Sequence, residues 1–557
     1  MANGDKRPIL ISKNASIGAV DAYEDTEYRE ECFVDPGWLG EARDSQSRRS
    51  VVLGRTGAGK SALLLALGRA EENVIEVDPS EFAFRYIENS NVIQFFQAAG
   101  VNLDLFYRLL WRHVLVVELL KKRFRLTHPN DSLGFLDQVN QWVRFNPARK
   151  AAMDYLRRWG EKFWETTEVR ARELTTKFED ELKAGLKVGG ELLALGADGA
   201  SRLGVQEREE IVARGNEVVS GIQMRELRDV IGVLGEKVFN DERSKYFVVV
   251  DKLDENWAKE QTRYRLIRAL VEEIRSFREL KNVKILAAIR QDLLLEVFDH
   301  TREAGFQEEK YHDYFFNLRW SSQDLEQLVQ RRIGELYRRK YRAEAVRFED
   351  IFPTVKRGRP EPLRYILQRT LMRPRDAIAF VNECLRLAEN RERVSWKVIR
   401  AAEGSYSDRR VKAVCDEWRA HYPSVDVVVE LLRGLSSRFG RSDIPQDRLE
   451  AAIVRCATIK DDDPCVVIAK EMLDPASKMT SKAFLDEALR ILYKIGFLGA
   501  RFAKNEPISW AFSHEDELGK GDTRRTISFH VHKMCWRGLG TRVLEDEDEL
   551  RGLEEDD

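Results

Sequence analysis

A glycine-rich segment at residues 54–61 constrains the fold of this chain more than any other part of its sequence. It follows an apolar run at residues 51–53 and precedes a helix-like run at residues 62–67. The pattern G-x-x-x-x-G-K-S in this setting is typical of a loop that binds phosphate. Glycine allows φ > 0 and a close approach of backbone N–H groups to an anion, at the positive end of the following helix. The predicted binding residues are Gly54, Thr56, Gly57, Ala58, Gly59, Lys60, Ser61 and Ala62.

Two residues at the end of this segment have side chains suited to phosphate chemistry. Lys60 carries a positive charge that can bridge the β- and γ-phosphates of a nucleotide, and Ser61 has a hydroxyl that can bind Mg²⁺. The alternative is a glycine-rich turn before an ordinary helix. The strand, the helix and the Lys-Ser pair together favour the phosphate site.

Length, charge and cysteine usage narrow the class of protein. At 557 residues the chain is too long for one hydrophobic core, which predicts several domains. The formal net charge of −2 does not indicate a nucleic-acid partner. The six cysteines have no C-x-x-C spacing, which favours free thiols in a reducing compartment. Because we find neither a secretory signal nor an apolar run long enough to cross a bilayer, we expect a cytoplasmic protein without membrane contact.

A second apolar run ends in carboxylates. Residues 246–250 have the composition of a central parallel strand, and Asp251 follows at the end where such strands face a ligand crevice. We therefore expect Asp251 to hold Mg²⁺ together with Ser61. Asp254 is the candidate to orient or deprotonate the attacking water, and Glu255 is its competitor.

Three further apolar runs complete the predicted sheet. They lie at residues 73–77, 283–289 and 314–318, and Arg290 ends the second of them. Arg290 is placed to reach toward a γ-phosphate, and a surface pair with Asp292 is the alternative. The alternation of strand and helix predicts an α/β fold in which helices cover both faces of a parallel sheet.

The remaining sequence is mostly helical in character. We expect a short helix near residues 22–25 before the core, and a large helical insertion within it at about residues 100–240. Beyond residue 320 the chain is basic: residues 331–375 hold 14 Lys and Arg against 5 Asp and Glu, a net charge of +9. A solvated helical face with nucleotide-facing arginines explains this stretch most simply. Contact with nucleic acid or with an acidic neighbouring subunit is the alternative.

A helix start lies within the basic stretch. Pro374 fits the first turn of a helix, and this turn would present Arg373 or Arg375 to a phosphate. A helix of this kind, placed after a nucleotide-binding core, is expected to act as a lid.

The C-terminal part predicts a separate unit. Helical patterns at residues 425–432, 446–456 and 482–498 are followed by alternating runs at residues 508–512 and 526–532. Three helices and a β-ribbon indicate a winged-helix-like unit, which can bind DNA or contact a protein. The predicted domains are a lead-in at 1–47, a nucleotide-binding core at 48–320, a helical lid at 321–405, a winged-helix-like unit at 406–544 and an acidic disordered tail at 545–557.

Four motifs in this order resemble those of bacterial P-loop ATPases of the KAP/STAND kind, which are relatives of the AAA group. The motifs are residues 54–61, residues 248–254, the strand that ends in Arg290, and residues 373–376. The resemblance covers roughly residues 48–390. It implies a parallel P-loop NTPase sheet that binds ATP and Mg²⁺.

The resemblance also implies roles for single residues. Ser61 and Asp251 would bind Mg²⁺, Arg290 would be a first sensor of the nucleotide and Arg375 a second. Lys252 departs from the pattern, because many AAA relatives carry the catalytic Glu at this position, and the identity of the base stays open. The membrane helices of many KAP proteins are absent from this sequence.

From these features we expect a Mg²⁺-dependent ATPase that acts as a conformational switch. It would form a homo-oligomer and act on a protein partner or effector, and relatives of this kind often serve in anti-phage defence, which is an argument by analogy. A nucleic-acid-processing ATPase is one alternative. An ATP-dependent scaffold with little turnover is another. A small-molecule kinase would share the loop, but we find no signature of an acceptor site.

Overall fold

The structure is a computed structural model of the chain. It describes residues 10–82, 90–126, 157, 176, 179–180, 183–184, 190–221, 231–255, 257–301, 309–341, 346–355, 359–514, 518–519, 521–545 and 547. The chain divides into two units. The sheet unit comprises residues 37–55 and 60–318, and the helical unit comprises residues 1–36, 56–59 and 319–557. No helix in the described ranges has the length and apolar character that crossing a membrane requires.

A five-stranded parallel sheet with helices forms the sheet unit. Its strands are Val51–Gly54 (β1), Val74–Val77 (β2), Tyr246–Val250 (β3), Val283–Arg290 (β4) and Phe315–Asn317 (β5). Its described helices are Trp38–Arg43 (α1), Lys60–Ala70 (α2), Asn91–Ala99 (α3), Asp104–Phe124 (α4), Gly190–Ala194 (α5), Ala197–Ser201 (α6), Val205–Gly221 (α7), Glu260–Ile274 (α8), Gln291–His300 (α9) and Glu309–His312 (α10). Shorter helical turns lie at Pro79–Phe82, Leu234–Val238 and Ser276–Glu279.

The strand order in this sheet is β2-β3-β4-β1-β5, and all four pairings are parallel. Every residue of β1 and β3 is buried, as expected for parallel strands covered on both faces. The carboxyl ends of β1, β3 and β4 therefore lie at one edge of the sheet, with β4 between the other two. The predicted α/β fold with a parallel sheet is confirmed.

The helix α4 anchors the core of the sheet unit. The apolar residues from Phe106 to Leu120 are buried, and the indole Nε1 of Trp111 donates to the carbonyl of Leu266 at 2.8 Å. Glu273 is 0% exposed and accepts from the guanidinium of Arg112, while Arg108 Nε lies 3.4 Å from its other oxygen. A buried carboxylate of this kind is tolerated because two cations compensate its charge.

A buried lysine joins α1 to β4. Lys284 is 3% exposed, and its Nζ donates to the carbonyls of Glu41 at 2.7 Å and Asp44 at 2.8 Å. Both carbonyls lie at the end of α1, where the Glu41 carbonyl also accepts from the N–H of Asp44 at 3.3 Å and the Asp44 carbonyl from the N–H of Ser47 at 3.2 Å. Burial lowers the pKa of Lys284 to about 8, with small opposing effects from the Glu41 and Asp44 carboxylates.

The helical unit contains most of the remaining elements. Its helices are Ser322–Tyr341 (α11), Phe348–Ile351 (α12), Pro362–Leu367 (α13), Pro374–Leu387 (α14), Trp396–Trp418 (α15), Val425–Val429 (α16), Gln446–Ala457 (α17), Pro464–Glu471 (α18), Ser481–Lys494 (α19), Ala511–His514 (α20) and Asp522–Arg525 (α21). The strands Arg438–Phe439 (β6), Leu498–Arg501 (β7), Ser509–Trp510 (β8) and Ser528–Val531 (β9) form an antiparallel sheet in the order β6-β9-β7-β8.

The N-terminal segment packs inside the helical unit. The N–H of Ile17 donates to Asn382 Oδ1 at 2.8 Å, and Asn382 Nδ2 donates to the carbonyl of Gly18 at 3.0 Å. Arg332 of α11 forms a buried ion pair with Asp25. These contacts fix a segment that has no regular secondary structure against α11 and α14.

The short helix predicted at residues 22–25 is wrong, since this segment is a turn. The carboxylate of Asp21 accepts from the N–H of Tyr23 at 2.8 Å, and that of Asp25 accepts from the N–H of Ala19 at 3.0 Å. Side-chain acceptors of this kind compete with helical hydrogen bonds. The first helix of the chain's described part begins later, at Trp38.

Several arginines of the basic stretch have partners within the chain. Arg338 and Arg339 both pair with Glu335, and Arg331 donates to the carbonyl of Phe33. The residues 342 and 356–358 of this stretch lie outside the described residues. Contact of this face with nucleic acid stays a prediction.

The C-terminal elements differ in part from the predicted ones. The predicted helix at residues 482–498 ends at Lys494, and the predicted strand at residues 508–512 ends at Trp510 because Ala511–His514 is helical. β6, β7 and α18 have no counterpart in the prediction. Most of the predicted acidic tail lies outside the described residues, and so do residues 127–156, 158–175, 177–178, 181–182, 185–189 and 222–230 of the predicted insertion.

Candidate functional site

The connection from β1 to α2 places Lys60 at the start of the helix. Its Nζ donates to the carbonyls of Gly54 at 3.0 Å and Arg55 at 3.3 Å. Burial lowers the pKa of Lys60. The negative charges of the Asp254, Asp251 and Asp292 carboxylates act in the opposite direction and favour the protonated ammonium group.

Residues 56–59 of the same loop belong to the helical unit. Their carbonyls accept from three donors of that unit: Arg373 Nη1 to Thr56 at 2.8 Å, the Arg375 N–H to Gly57 at 3.4 Å, and Trp320 Nε1 to Ala58 at 2.8 Å. With the two carbonyls that accept from Lys60, five successive carbonyls of the loop have a donor within the chain.

Unlike these carbonyls, two N–H groups of the loop have no hydrogen-bond partner among the described residues. Gly57 and Gly59 have φ values of +77° and +95°, and their N–H groups donate to no acceptor in the described ranges. A Cβ on Gly57 would lie 2.6 Å from Cβ of Arg375, so only glycine fits there. Occupied carbonyls and open N–H groups give the loop a polarity suited to an anion.

Asp251 follows β3 at the edge of the sheet where the loop follows β1. Its side chain is half-buried, and Oδ1 accepts from the N–H of Lys252 at 2.9 Å. Ser61 lies in the first turn of α2, directly after the loop. The predicted Mg²⁺ ligands Asp251 and Ser61 thus belong to elements that meet the same edge of one sheet.

Lys252 has a structural role next to Asp251. It takes a left-handed conformation with φ +58°, and its Nζ donates to Asp78 Oδ2 at 2.8 Å. Asp78 follows β2, so this pair links the ends of two neighbouring strands. The hydrogen bond to Asp78 raises the pKa of Lys252. Lys252 therefore stays protonated and cannot act as a base.

The structure brings the predicted catalytic residues Arg290 and Asp254 together. Arg290 Nε donates to Asp292 Oδ1 at 3.1 Å, although Asp292 is buried and the pair is not on the surface, and Arg290 Nη1 lies 3.6 Å from Asp254 Oδ2. Glu255 is exposed. The loss of part of its solvent to nearby protein atoms still raises the pKa of Glu255; Lys252 opposes this shift, and the carboxylates of Asp78 and Asp254 add to it. A raised pKa suits a general base, so Glu255 remains a candidate alongside Asp254, which contacts Arg290.

Two residues that contact the loop were missed or left undecided by the sequence analysis. Trp320 follows β5 and was not predicted, while Arg373 was one of two alternatives for a phosphate contact. Arg373 is 2% exposed and also contacts Asp376 and Glu417, at 3.1 and 3.2 Å. Arg375 is half-buried, and its Nε has no hydrogen-bond partner among the residues that the structure describes. The Pro374 signal located the helix start, but it could not separate the two arginines.

The described residues contain no group of three or more His, Cys, Asp or Glu side chains placed to hold a metal ion. A metal ion at Asp251 would therefore need ligands from Ser61, water and phosphate, which is how Mg²⁺ is commonly held. All six cysteines are free and buried.

Comparison with known proteins shows a match to one domain family and a distant similarity to one protein. Residues 323–415 match the model of a FunZ-associated C-terminal helical domain, FunZ_C. This match runs from α11 into α15 and includes Arg373 and Arg375. Over 543 residues, the chain is 21% identical to a protein of Escherichia coli (strain K12) named "Putative transposon gamma-delta 80.3 kDa protein", with 95% of this chain and 68% of that protein covered.

Proposed function

We propose that this chain is a Mg²⁺-dependent ATPase of the P-loop kind that binds ATP at residues 54–61. The observation that carries the proposal is the polarity of the loop. Its carbonyls accept from donors of the chain, its two left-handed glycines have open N–H groups, and Lys60 follows them. A loop of this polarity attracts an anion and repels a cation.

The chemistry around the loop supports a triphosphate as this anion. Ser61 and Asp251 would hold Mg²⁺, which supplies charge neutralisation on the phosphates when it is bound. Asp254 would orient or deprotonate the attacking water, with Glu255 as the alternative. Arg290 Nη1 lies 3.6 Å from the carboxylate of Asp254, and this contact supports a role for Arg290 close to the reacting group.

Arg375 is our candidate for the second residue that responds to the nucleotide. Its backbone N–H donates to the carbonyl of Gly57, and its side chain occupies the space that a Cβ on that glycine would need. Its buried Nε lacks an acceptor among the described residues, and a phosphate oxygen would supply one.

For the biological role we propose a homo-oligomeric switch of the KAP/STAND kind in the cytoplasm, which acts on a protein partner and serves in anti-phage defence. This step follows the resemblance of the four motifs alone. An ATP-dependent scaffold with little turnover is the alternative if Asp254 and Glu255 support no rapid hydrolysis.

A nucleic-acid-processing ATPase is the second candidate. The net charge of +9 in residues 331–375 and the relative whose printed name refers to a transposon favour it. Binding to DNA or RNA that weakens steeply with salt, and hydrolysis that the nucleic acid stimulates, would support this candidate.

Substitution of the loop lysine tests the proposal. We expect Lys60→Ala to lower kcat/KM for ATP by about 100-fold or more, since about 2.7 kcal/mol of charge stabilisation is lost. Lys397→Ala, which removes an exposed lysine of α15, is the matched control and should leave kcat/KM unchanged. Normal turnover in Lys60→Ala would refute the proposal. Tight ATP binding without turnover in the wild type would identify the scaffold instead.

A further inference from the structure

Arg373 connects the loop to the longest helix of the helical unit's described part. Its Nη1 donates to the carbonyl of Thr56 at 2.8 Å and contacts Glu417 near the end of α15 at 3.2 Å. Its Nε donates to Asp376 Oδ2 at 3.1 Å. One side chain thus bridges the phosphate loop, the first turn of α14 and the last turn of α15.

The partners of Arg373 are themselves buried and fixed. Asp376 is 0% exposed, accepts from the N–H of Leu371 at 3.0 Å, and lies 3.2 Å from Arg410 Nη2 of α15. Burial alone would raise the pKa of Asp376, but Arg373 and Arg410 hold it below its ordinary value. Asp376 therefore stays ionised, and α15 is tied to this network at two positions, Arg410 and Glu417.

The network leaves one donor of Arg373 unused. Its Nη2 is buried and has no hydrogen-bond partner in the described ranges. The hydroxyl of Thr56 is also buried there without a hydrogen-bond partner. A buried donor without an acceptor costs free energy. Because the guanidinium is planar and its donors are fixed relative to one another, a shift of the Thr56 carbonyl must also shift the contacts to Asp376 and Glu417.

We propose that Arg373 is a positioning residue that couples the shape of the loop to α15. When ATP occupies the loop, the contacts of Arg373 stabilise the last turns of α15. When the loop is empty, these turns are less stable. This inference rests on the proposed function, since it takes ATP as the ligand that changes the loop. The inference gives the two arginines of residues 373–375 different roles. Arg375 contacts Gly57 of the loop, and Arg373 transmits the conformation of the loop to α15.

The test compares two neighbouring carboxylates of α15 in the full chain. Glu417→Gln weakens the contact to Arg373 and leaves the loop untouched, whereas Asp416→Asn weakens an exposed pair with Arg419 and is the matched control. Hydrogen exchange of backbone amides in residues 409–418 is measured with and without Mg·ATP, and the Kd for ATP is measured in parallel.

We expect ATP to slow exchange in residues 409–418 at least about threefold in the wild type and in Asp416→Asn. In Glu417→Gln this effect should disappear, while the Kd for ATP stays within about threefold of the wild type. Arg373→Lys, which keeps the charge but loses the planar donor pair, should weaken ATP binding by about tenfold and also remove the effect on α15.

Three outcomes would overturn the inference. Unchanged exchange of α15 in a wild-type chain that binds ATP would remove the coupling and leave the proposed function intact. Full protection of α15 in Glu417→Gln would show that Arg373 does not carry the coupling. A wild-type chain that binds no ATP would overturn both the inference and the proposed function.

Discussion

The substitution Gly57→Ala tests the shape of the loop through a single methyl group. Gly57 has φ +77°, and a left-handed conformation costs a residue with a Cβ about 1–2 kcal/mol. The new Cβ would also lie 2.6 Å from Cβ and 2.9 Å from Cδ of Arg375, so either the loop or the start of α14 must move. The loop will therefore leave its left-handed conformation in most molecules.

The free energy of this backbone strain sets how much the apparent Kd for ATP rises. If only the left-handed loop binds the phosphates, the apparent Kd rises as the fraction of competent molecules falls. A strain of about 1–2 kcal/mol then weakens ATP binding roughly 5- to 30-fold, and the contact with Arg375 adds to this loss. The Kd is measured by displacement of a fluorescent ATP analogue, and the free energy of unfolding by urea denaturation.

Gly434→Ala is the control that separates strain from binding. Gly434 has φ +67°, but a Cβ there would meet nothing within 4 Å. It should lose about 1–2 kcal/mol of stability and keep the wild-type Kd. If Gly57→Ala loses stability to the same extent and still binds ATP as tightly as the wild type, the loop is not the binding element and the reasoning is refuted.

Three other predictions concern the sheet unit. Asp251→Asn should abolish the Mg²⁺ dependence of ATP binding, measured as the ratio of Kd values with Mg²⁺ and with EDTA; an unchanged ratio would exclude Asp251 as a ligand. Lys284 has a pKa near 8 against an ordinary 10.5, so between these pH values the unfolded chain binds more protons and the wild type should gain up to about 3 kcal/mol of stability as pH rises. Urea denaturation at pH 8 and 10 should show this gain in the wild type and not in Lys284→Met. Glu273→Gln leaves Arg112 without its compensating charge and should cost about 3–5 kcal/mol; a loss below 1 kcal/mol in urea denaturation would contradict the buried pair.

The sheet could be predicted from the sequence because its signals are local. Each of the five strands is a mainly apolar run with a polar residue at or just after its end, and the glycines of residues 54–61 mark the turn between β1 and α2. Parallel strands place their carboxyl ends at one edge, so the joint position of Asp251 and the loop follows from pattern alone. The start of α14 at Pro374 follows from the same kind of local signal.

The side-chain contacts of Trp320 and Arg373 with the loop could not be predicted, because the two partners of each contact are far apart in sequence. Trp320 contacts Ala58, and Arg373 contacts Thr56, and no local pattern pairs residues separated by so much chain. The pairing of Lys252 with Asp78 was missed for the same reason. The two-residue strand β6 is too short to show a period of two, and β7 follows α19 so closely that its apolar residues continued the helical pattern.

The central claim is that the backbone of residues 54–61, with Lys60, recognises a triphosphate. Competition at equilibrium tests it most directly: the full chain is titrated with Mg·ATP in the presence of inorganic tripolyphosphate or of adenosine. The account predicts that tripolyphosphate displaces ATP and that adenosine at the same concentration does not, since the open N–H groups and Lys60 contact phosphate oxygens. Saturable binding that adenosine abolishes and tripolyphosphate leaves unchanged would contradict it, as would the absence of any saturable binding of ATP.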